Sequence, residues 1–600
     1  MPEGGRYLSI EEILMTETIL NISSSIGKNR WVGNDLAIDH HAEFLMQNTK
    51  LSILTSTILA TRNVAADNAE DYLNPKIKEL MPDPCKLTDL RKGTKRLLDA
   101  VNKNQQIAIY SDFDVDGTTS AALLMLWLKE HGSEPTLYIP DRIKEGYGPN
   151  IAAFKRLASE NSVIVCLDSG TQSYEPIEAA QSNNCDVIVI DHHQTSTILP
   201  KSFAIINPKR INETPDFFDL CTAGLVFLFL TDLNRLLREQ REVKFDLIKH
   251  VDLVALATMA DVVPLRGLNR AFVAQGVKVI SKSMRPCFLS LAEKAHFKAP
   301  ITAEALAFTF APRINAAGRI NDAKLATKIL MSDTIVSAQQ YANELEILND
   351  KRKQLEKDVL GAALEQAEIE NESGEPILWT HGKNWHAGVI GIVAARIKEK
   401  YKKPSIVISI SEKGIGTGSA RSTKNFDIGS SLLKLKDKDL IISGGGHKMA
   451  AGLKIDSNKI SIAKKALLDT YDRSKMTEPN DLQINSIAST SAVTTDVLEE
   501  INLAGPFGSE SPKPLIAFPN CRLNHIRILD EKHVRIRFSN DSGYLLEGIM
   551  FNALESDIGQ YLIATKERKL HIVGYIELNE WAGRKKPNVI IIDIAPINFN

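Results

Sequence analysis

The stretch Ile107-Ala-Ile-Tyr-Ser-Asp-Phe-Asp-Val-Asp-Gly117 decides the fold of this chain. A short apolar run of strand character is followed at once by three alternating aspartates and a glycine that suits a tight exit into a helix. Two later stretches have the same form: Val163 to Leu167 before Asp168, and Val187 to Ile190 before Asp191-His192-His193. Because open α/β sheets bind their ligands at the carboxyl ends of strands, these stretches predict one sheet edge that is rich in carboxylates.

Carboxylates gathered at one edge would repel one another, since like charges within a few ångströms raise each other's pKa. A shared cation removes that repulsion, so the edge predicts a metal centre. The side chains within reach are Asp114 and Asp116 in the turn into the Gly117 helix, Asp168 and His192 at neighbouring strand ends, and Asp261, where an apolar helix stops before a proline.

Four carboxylates and one imidazole form an oxygen-rich ligand set, which favours manganese or magnesium over zinc. Two such ions roughly 3.5 to 4 Å apart would catalyse hydrolysis of a phosphorus ester. A single aspartate at a strand end is more commonly a helix cap, but the whole set of motifs, in order within one predicted sheet, argues against that alternative.

The remaining segments predict the domain organisation. Helical stretches alternate with strands over 85–330, which indicates βαβ units and a parallel sheet, and 1–84 is interpreted as an N-terminal helical cap. Residues 331–372 contain no proline and carry an apolar stripe at helical spacing. The predicted fold class is α/β: a parallel-sheet domain joined by that long helix to a smaller α/β domain over 373–475, plus a C-terminal OB-type β-barrel over 476–600.

Composition adds a few constraints. With 44% hydrophobic and 24% charged residues the chain is typical of a globular protein, and its net charge of -2 means that nucleic-acid contacts have to come from local basic patches. The six cysteines are scattered without a Cys-x-x-Cys pair. No apolar run reaches the length of about 18 residues that spans a bilayer. We therefore expect a cytoplasmic protein with reduced thiols and no membrane contact.

The tripeptide Asp39-His40-His41 repeats the Asp-His-His motif within the N-terminal segment. It has no acidic partners nearby, and a helix-like sequence follows it. We interpret it as a helix start capped by Asp39 rather than as a ligand site.

The ordered motifs at 111–117, 166–171, 191–193 and Asp261 resemble the DHH phosphoesterase superfamily, and within it the RecJ family of single-stranded-DNA exonucleases. The resemblance extends from about residue 75 to the end of the chain. It implies two metal ions bound by Asp114, Asp116, Asp168, His192 and Asp261. It also implies that Asp112 and His193 lie close to the ions, with Asp191 behind them, as catalytic residues.

The same resemblance implies contacts with DNA. The segment Ala311 to Arg319 looks like the RecJ segment that faces the strand, with Arg313, Asn315 and Arg319 as contact residues. The alternative interpretation is a helix end with two exposed arginines.

The smaller domain resembles the DHH-associated domain through Trp385 to Gly391, Gly418 to Ser422 and Gly444 to His447. This implies strand contacts at Gly445, Gly446 and His447, although a glycine triplet is more commonly a mobile turn. In RecJ-like enzymes a pocket between the two domains receives the 5′-terminal phosphate, and the matching residues are Arg142, Ser419 and Arg421.

The barrel region departs from the family pattern at one point. Gly505 to Pro512 resembles the RecJ element that enters the barrel, but Glu510-Ser511 replaces the usual Gly-Asn pair, so the backbone shape is not carried over. In the barrel, Trp581 beside Arg584, Lys585 and Lys586 suits strand binding by stacking and charge, with a solvated loop as the alternative.

Together these features predict a 5′-to-3′ exonuclease that degrades single-stranded DNA to mononucleotides by two-metal hydrolysis, in DNA repair and recombination. Single-stranded DNA is the expected partner, with a helicase and a single-strand-binding protein as candidate partners. Two alternatives stay open. One is a phosphodiesterase of short oligonucleotides or cyclic dinucleotides, against which the barrel argues, and the other is a catalytically silent strand-binding protein, against which the complete ligand set argues.

Overall fold

The computed structural model of the chain describes residues 18–142, 145–146, 148–298, 300–471, 480–564, 569–581 and 584–597. They form two compact units, Ile77–Thr477, and Met1–Lys76 together with Glu478–Asn600. Among the described residues, no helix is both long enough and apolar enough to cross a membrane.

A five-stranded parallel sheet forms the centre of the first unit. In spatial order its strands are Thr136–Tyr138, Ile107–Ser111, Val163–Leu167, Asp186–Ile190 and Ala204–Ile206. The predicted strands are confirmed to within one residue at each end. The strand order reverses between Ile107–Ser111 and Val163–Leu167, and ligands of open α/β sheets bind at such a reversal.

Alternate residues of each strand enter two separate cores. Ile107 and Ile109 pack in the larger core, whereas Ala108 and Tyr110 pack in the smaller one on the opposite face. Both faces of the parallel sheet are therefore covered by helices, as its continuous apolar strands require. The helices of this domain are Ile77–Leu80, Leu90–Asn102, Val115–Glu130, Ile151–Glu160, Tyr174–Gln181, Thr222–Arg238, Val251–Ala260, Gly267–Lys282, Pro286–Lys294, Ala303–Ala305, Ala311–Ile320 and Lys324–Leu330.

A helix of 38 residues, Ile335–Glu372, continues from the sheet domain. At 1.5 Å per residue it is roughly 57 Å long. Its first half buries Ala342 and Leu345 in a core of the sheet domain, and its second half buries Val359 and Ala363 against the smaller domain. The predicted connecting helix is thus packed on both domains that it joins.

The smaller domain is a five-stranded mixed sheet. Its strands in spatial order are Ser443–His447, Ala450–Asp456, Ile415–Arg421, Ser405–Ile410 and Leu378–Lys383. Its helices are Ile390–Tyr401, Ile428–Asp437 and Ile460–Leu468. The helix Ile390–Tyr401 packs on the long helix, so its first turn is held at a defined place in the unit.

Five strands close into a barrel in the second unit. Around the barrel they run Ile516–Leu529, His533–Ser539, Leu546–Met550, Arg584–Pro596 and Lys569–Trp581, and the last pairs with the first. A helix, Asp557–Ala564, lies between the third and fourth strands of the chain order. The predicted fold class, including an OB-type barrel, is confirmed. The strand Leu546–Met550 was not predicted, because five residues interrupted by a glycine give a weak alternation signal.

The N-terminal segment packs on the barrel within the second unit. Its strand Asn29–Val32 pairs in parallel with Asn480–Gln483. The fully buried Asp593 carboxylate of the barrel accepts hydrogen bonds from Ser25 Oγ at 2.6 Å, Asn29 Nδ2 at 2.8 Å and Trp31 Nε1 at 2.9 Å. The helices of this unit other than Asp557–Ala564 are Leu36–Asn48, Ile53–Thr61, Ala69–Leu73 and Thr495–Leu503.

The tripeptide Asp39-His40-His41 lies inside the helix Leu36–Asn48. The cap of that helix is Asp35, which accepts a hydrogen bond from the Ile38 amide at 2.8 Å, so the prediction that Asp39 is the cap is wrong. Asp39 instead lies in the first turn, where a negative charge is favourable. The tripeptide is therefore helical, as expected, but the helix begins at Leu36 and not after Asp39.

Candidate metal centre

The carboxylate edge is built by the loops that follow three neighbouring strands. Asp112 follows Ile107–Ser111, Asp168 follows Val163–Leu167, and Asp191 follows Asp186–Ile190. These three carboxylates are at most 4% exposed. Burial of several carboxylates at one place is costly unless their charges are compensated, so their presence marks a site.

Asp114 and Asp116 stand at the start of the helix Val115–Glu130. Asp114 caps that helix, since its Oδ1 accepts a hydrogen bond from the Gly117 amide at 3.1 Å. Asp116 accepts hydrogen bonds from the amides of Thr222 at 2.7 Å and Ala223 at 2.9 Å, which begin another helix. The capping interpretation is therefore correct for Asp114, while the donors around Asp116 hold its carboxylate in one orientation.

Three groups of side chains offer ligand atoms within 4.8 Å of one another. They are Asp112 with Asp114 and Asp168, Asp116 with His192 and Asp261, and Asp168 with His192 and His193. His192 Nε2 lies 3.4 Å from Asp168 Oδ1, 3.5 Å from Asp261 Oδ2 and 3.8 Å from Asp116 Oδ2. Because Asp168 and His192 each belong to two groups, the three groups form one continuous centre.

Two residues of the centre are held in left-handed backbone conformations. Asp168 has a φ of 57°, and Val262, directly after Asp261, also has a φ of 57°. Such a conformation costs about 1–3 kcal/mol in a residue other than glycine, and a β-branched residue rarely adopts it. These strained conformations lower the stability of the fold, and they position Asp168 and the end of the helix Val251–Ala260 at the centre.

The protonation states reflect the crowding of these groups. Burial first, and then the charges of neighbouring carboxylates, raises the pKa of Asp112, Asp168 and Asp261 well above its usual range and that of Asp116 to about 6. Burial also lowers the pKa of His192 to about 3, which leaves its imidazole neutral. Neutral imidazole is the form that binds metal ions.

Asp191 and His193 form a hydrogen-bonded pair beside the centre. Asp191 Oδ1 lies 2.7 Å from His193 Nδ1, and its Oδ2 accepts a hydrogen bond from Thr171 Oγ1 at 2.6 Å. Burial opposes the charged imidazolium, but the hydrogen bond and charge of Asp191 outweigh it and raise the pKa of His193 to about 9. Burial likewise opposes ionisation of Asp191, yet the hydrogen bond from His193 keeps its pKa below the usual range. The contact with Asp191 therefore favours the charged form of the His193 ring in the metal-free protein.

The residues present fit a hard divalent cation. Asp112 Oδ1 is buried and has no hydrogen-bond partner among the described residues, so a polar atom that needs a partner faces the centre. Carboxylate oxygens with one neutral imidazole are suited to manganese or magnesium. A bound cation would also relieve the repulsion that raises the pKa of these carboxyls.

A second cluster in the same unit is basic. Arg421 Nη1 donates to Ser419 Oγ at 3.2 Å. A Cβ atom on Gly391, in the first turn of the helix Ile390–Tyr401, would lie 3.0 Å from Ser419 Oγ. The Arg142 guanidinium lies 5.0 Å from the centre of the Phe113 ring. Burial, followed by the positive charge of Arg142, lowers the pKa of Arg421. The structure therefore brings Ser419 and Arg421 into contact, with Arg142 near enough to influence Arg421.

Arg319 joins this basic cluster. Its Nη1 donates to the Gly388 carbonyl oxygen at 3.1 Å, just before the helix Ile390–Tyr401. Burial lowers the pKa of Arg319 to about 10, and the charges of Arg142 and Arg352 act in the same direction. Desolvated like charges beside a helix N-terminus make a site for an anion.

The other residues of the segment Ala311–Ile320 have internal partners. Arg313 pairs with Glu346 of the long helix at 2.6 Å and is 14% exposed in its side chain. Asn315 Oδ1 accepts a hydrogen bond from the Val115 amide at 3.1 Å, so it supports the start of the helix that carries Asp116. The alternative of a helix end with two exposed arginines is wrong, because Arg313 and Arg319 are both partly buried.

The glycine-rich segment of the smaller domain lies in the edge strand Ser443–His447, not in a mobile turn. Gly446 and His447 line a cavity of about 400 Å³. Its other walls come from the sheet domain: Gly148, Pro149, Ser169, Gly170, Thr171, Gln172, Ser173, Asp191, His193 and Gln194. Gly445 does not line this cavity.

Sequence reasoning missed the contribution of the fifth strand and of one helix start. Asn207 follows the strand Ala204–Ile206, and its Nδ2 donates to Thr171 Oγ1 at 2.9 Å and to the His193 carbonyl oxygen at 3.0 Å. Thr222 Oγ1 donates to Asp168 Oδ1 at 2.9 Å. The apolar run before Asn207 was the available signal, whereas nothing local marks Thr222.

Comparison with known proteins shows three matching domain families. The DHH family, N-terminal domain, matches residues 106–258, the DHHA1 domain matches 374–473, and the RecJ OB domain matches 484–593. The chain is 31% identical to the single-stranded-DNA-specific exonuclease RecJ of Escherichia coli (strain K12) over 571 residues, which is 91% of this chain and 96% of that protein.

It is 30% identical to the protein of the same name from Bacillus subtilis (strain 168) over 563 residues, which is 92% of this chain and 69% of that protein. Among solved structures, RecJ from Thermus thermophilus in complex with Mn2+ matches with a TM-score of 0.78 and 25% sequence identity. That match covers 94% of this chain and 79% of the other.

Proposed function

Since this chain belongs to the RecJ family, we propose that it is a metal-dependent exonuclease that hydrolyses single-stranded DNA from the 5′ end and releases mononucleotides. One observation carries the proposal: a buried centre of carboxylates and imidazole lies in the same unit as a cluster of desolvated arginines. The first is suited to divalent cations, and the second is suited to a terminal phosphate.

Two of the ligand groups would each hold one ion. Asp112, Asp114 and Asp168 form one group, and Asp116, His192 and Asp261 form the other. When bound, a pair of ions activates water and stabilises the leaving oxygen of a phosphodiester. The left-handed backbone at Asp168 and the helix start that binds Asp116 keep these ligands in place.

The protein's own side chains then orient the phosphodiester. Thr171 holds Asp191, and Asp191 holds the protonated ring of His193 towards the centre. An imidazolium at that position stabilises the negative charge of the phosphate oxygens. Asn315 supports the turn that carries the two ligand aspartates through the Val115 amide.

The basic cluster would determine the direction in which the strand is degraded, by binding its 5′ end. Arg142 connects the two sites: Asp112 and Asp114 oppose the lowering of its pKa by burial, and its own positive charge contributes to the lowered pKa of Arg421. A 5′-terminal phosphate bound by Arg142, Ser419 and Arg421 would therefore place the next phosphodiester close to the ions. Cleavage at that phosphodiester would release one nucleotide at a time.

The barrel offers a second surface for the strand. A groove of about 800 Å³ there is lined by basic and aromatic side chains that include Arg535, Arg537, Tyr544, Lys585 and Lys586. Charge with stacking is the usual basis of binding to single strands. The side chains of Trp581 and Arg584, which were also predicted to contribute, lie outside the described residues. A role in DNA repair and recombination, with a helicase and a single-strand-binding protein as partners, belongs to the same proposal and rests on family membership alone.

A degradation assay tests this function. A 5′-phosphorylated single strand, a blunt duplex and a cyclic dinucleotide are incubated with the protein and manganese, and the products are separated by size. We expect mononucleotides from the single strand, little product from the duplex and little from the cyclic dinucleotide. Faster cleavage of the dinucleotide than of the long strand would favour the small-substrate alternative, and binding of the strand without any release would favour the silent alternative.

A further inference from the structure

Lys209 has no role in the mechanism above, although it lies at the same sheet edge as the metal centre. It comes after the strand Ala204–Ile206, three residues beyond its end. We infer that Lys209 is a phosphate-binding residue, whose ammonium contacts a phosphate oxygen of the DNA strand beside the Asp191-His192-His193 loop. This role rests on the proposed nuclease function.

The backbone of Lys209 is fixed by the network that holds the Asp-His-His loop. Its amide donates to Asn207 Oδ1 at 2.8 Å, and its carbonyl oxygen accepts a hydrogen bond from Thr195 Oγ1 at 2.9 Å. Asn207 in turn donates to Thr171 and to the His193 carbonyl oxygen. The position of the lysine is therefore coupled to the position of His193.

The side chain of Lys209 is partly buried and lies over an aromatic ring. Its Nζ is 5.9 Å from the centre of the Phe218 ring. Among the described residues, no carboxylate oxygen lies within 4.0 Å of this ammonium. A contact with a ring face leaves the hydrogen-bond donors of an ammonium available, because the ring accepts none of them strongly. The cation is thus oriented but not neutralised.

The backbone contacts place Lys209 beside the Asp-His-His loop, and the charges that act on its side chain agree with that position. Burial lowers the pKa of Lys209, and the carboxylates that oppose this effect are led by Asp261 and Asp191. Arg142, by contrast, is influenced by Asp112 and Asp114. Arg142 and Lys209 are thus influenced by different carboxylates of the centre. A strand bound at the 5′-phosphate cluster that also passes the Asp-His-His loop would come within reach of Lys209. Lysine is a compact point charge that suits a phosphate oxygen.

Two other roles are open to such a lysine, and they predict different behaviour. It could serve only the fold, through its contact with Phe218, or it could offset the repulsion among the carboxylates. In the second case its loss would change the affinity for the metal and not the affinity for the strand. Removing a cation beside a metal site by itself strengthens metal binding.

The test compares K209M and K209R with the control K201M, which changes an exposed lysine shortly before the strand Ala204–Ile206. Three quantities are measured for each: kcat/KM on a 5′-phosphorylated single strand at saturating manganese, the affinity for manganese, and the salt dependence of strand binding in EDTA. The thermal transition of each variant shows whether it is folded.

We expect K209M to lower kcat/KM by at least about tenfold and to reduce the slope of log affinity against log salt by about one. Manganese affinity should stay equal or increase, and K209R should retain most of the activity. The inference is overturned if K209M matches K201M in activity and salt slope, or if higher manganese restores its activity. The salt slope is measured without catalysis, so it reports on Lys209 even if the wild-type protein releases no nucleotide.

Discussion

Removal of one buried charge from the metal centre should change stability in opposite directions with and without metal. Asp116 is 1% exposed, and its pKa is raised from 3.8 to about 6. At about 1.4 kcal/mol per pKa unit, this costs the metal-free folded protein about 3 kcal/mol above pH 6. Between pH 4 and 6 the folded state binds more protons at Asp116 than the unfolded state does, so this contribution to stability falls as the pH rises.

The variant D116N removes the buried negative charge and keeps the shape of the side chain. In EDTA, we expect the free energy of unfolding of D116N minus that of wild type to increase by about 3 kcal/mol from pH 4 to pH 7, so that the variant becomes the more stable protein. The difference between the two proteins is the readout. It reports the Asp116 charge together with its effect on Asp168 and Asp261, whose pKa that charge raises. In manganese the order should reverse, since wild type binds the ion and the variant has lost a ligand.

Calorimetric unfolding of the full chain at each pH, with EDTA or with manganese, measures both effects. The matched control is D39N in the second Asp-His-His tripeptide, which should change stability by less than about 0.5 kcal/mol under all conditions. Activity of D116N should fall at least about a thousandfold, given the several kcal/mol that a metal contact contributes. The reasoning is refuted if the stability difference does not vary with pH in EDTA, or if manganese stabilises D116N as much as wild type.

Three further predictions follow from other contacts. The variant R421K should reduce the preference for a 5′-phosphorylated strand over a 5′-hydroxyl strand by about tenfold, because lysine cannot make a bidentate contact. Competition assays measure this preference, and an equal loss of cleavage activity on both strands would contradict a terminal-phosphate site. The variant D593A should destabilise the barrel unit by about 3–5 kcal/mol, since it leaves buried donors without an acceptor; an unchanged unfolding transition would show that Ser25, Asn29 and Trp31 find other partners. The variant E510G should stabilise the same unit by about 0.5–1 kcal/mol, because Glu510 has a φ of 55°, and a lower melting temperature would mean that contacts of the glutamate outweigh its backbone strain.

Glu510, where the family resemblance implied a glycine, lies in a tight turn before the barrel. Gly508 and Ser511 exchange backbone hydrogen bonds at 2.9 and 3.1 Å across a tight turn, with Glu510 in the left-handed conformation between them. The turn is therefore made without the glycine, at a cost in backbone strain of about 1–2 kcal/mol. The backbone shape could not be predicted from the substitution alone.

Local sequence determined the strands and the ligands that directly follow them. Each apolar run of the parallel sheet specifies a buried strand by itself. The residue after it lies at the carboxyl edge of the sheet, and this position does not depend on distant parts of the chain. Asp112, Asp168 and Asp191 are of this kind, and so is Asp261 at the end of an apolar helix. The long helix was also predictable, because a stripe at helical spacing without proline is a local signal.

Tertiary structure alone decided which distant groups complete these elements. Arg319 was predicted to face the strand, yet the packing of its helix brings it to Gly388 and into the arginine cluster, and Arg313 is paired with Glu346. The contact between Asn29 and Asp593 joins residues separated by 564 positions. No periodicity or motif encodes such pairs, because they depend on how separately formed elements pack. The sequence by itself thus determined which carboxylates lie at the sheet edge. Only the packing of distant elements determined which arginines lie near them and which are paired elsewhere.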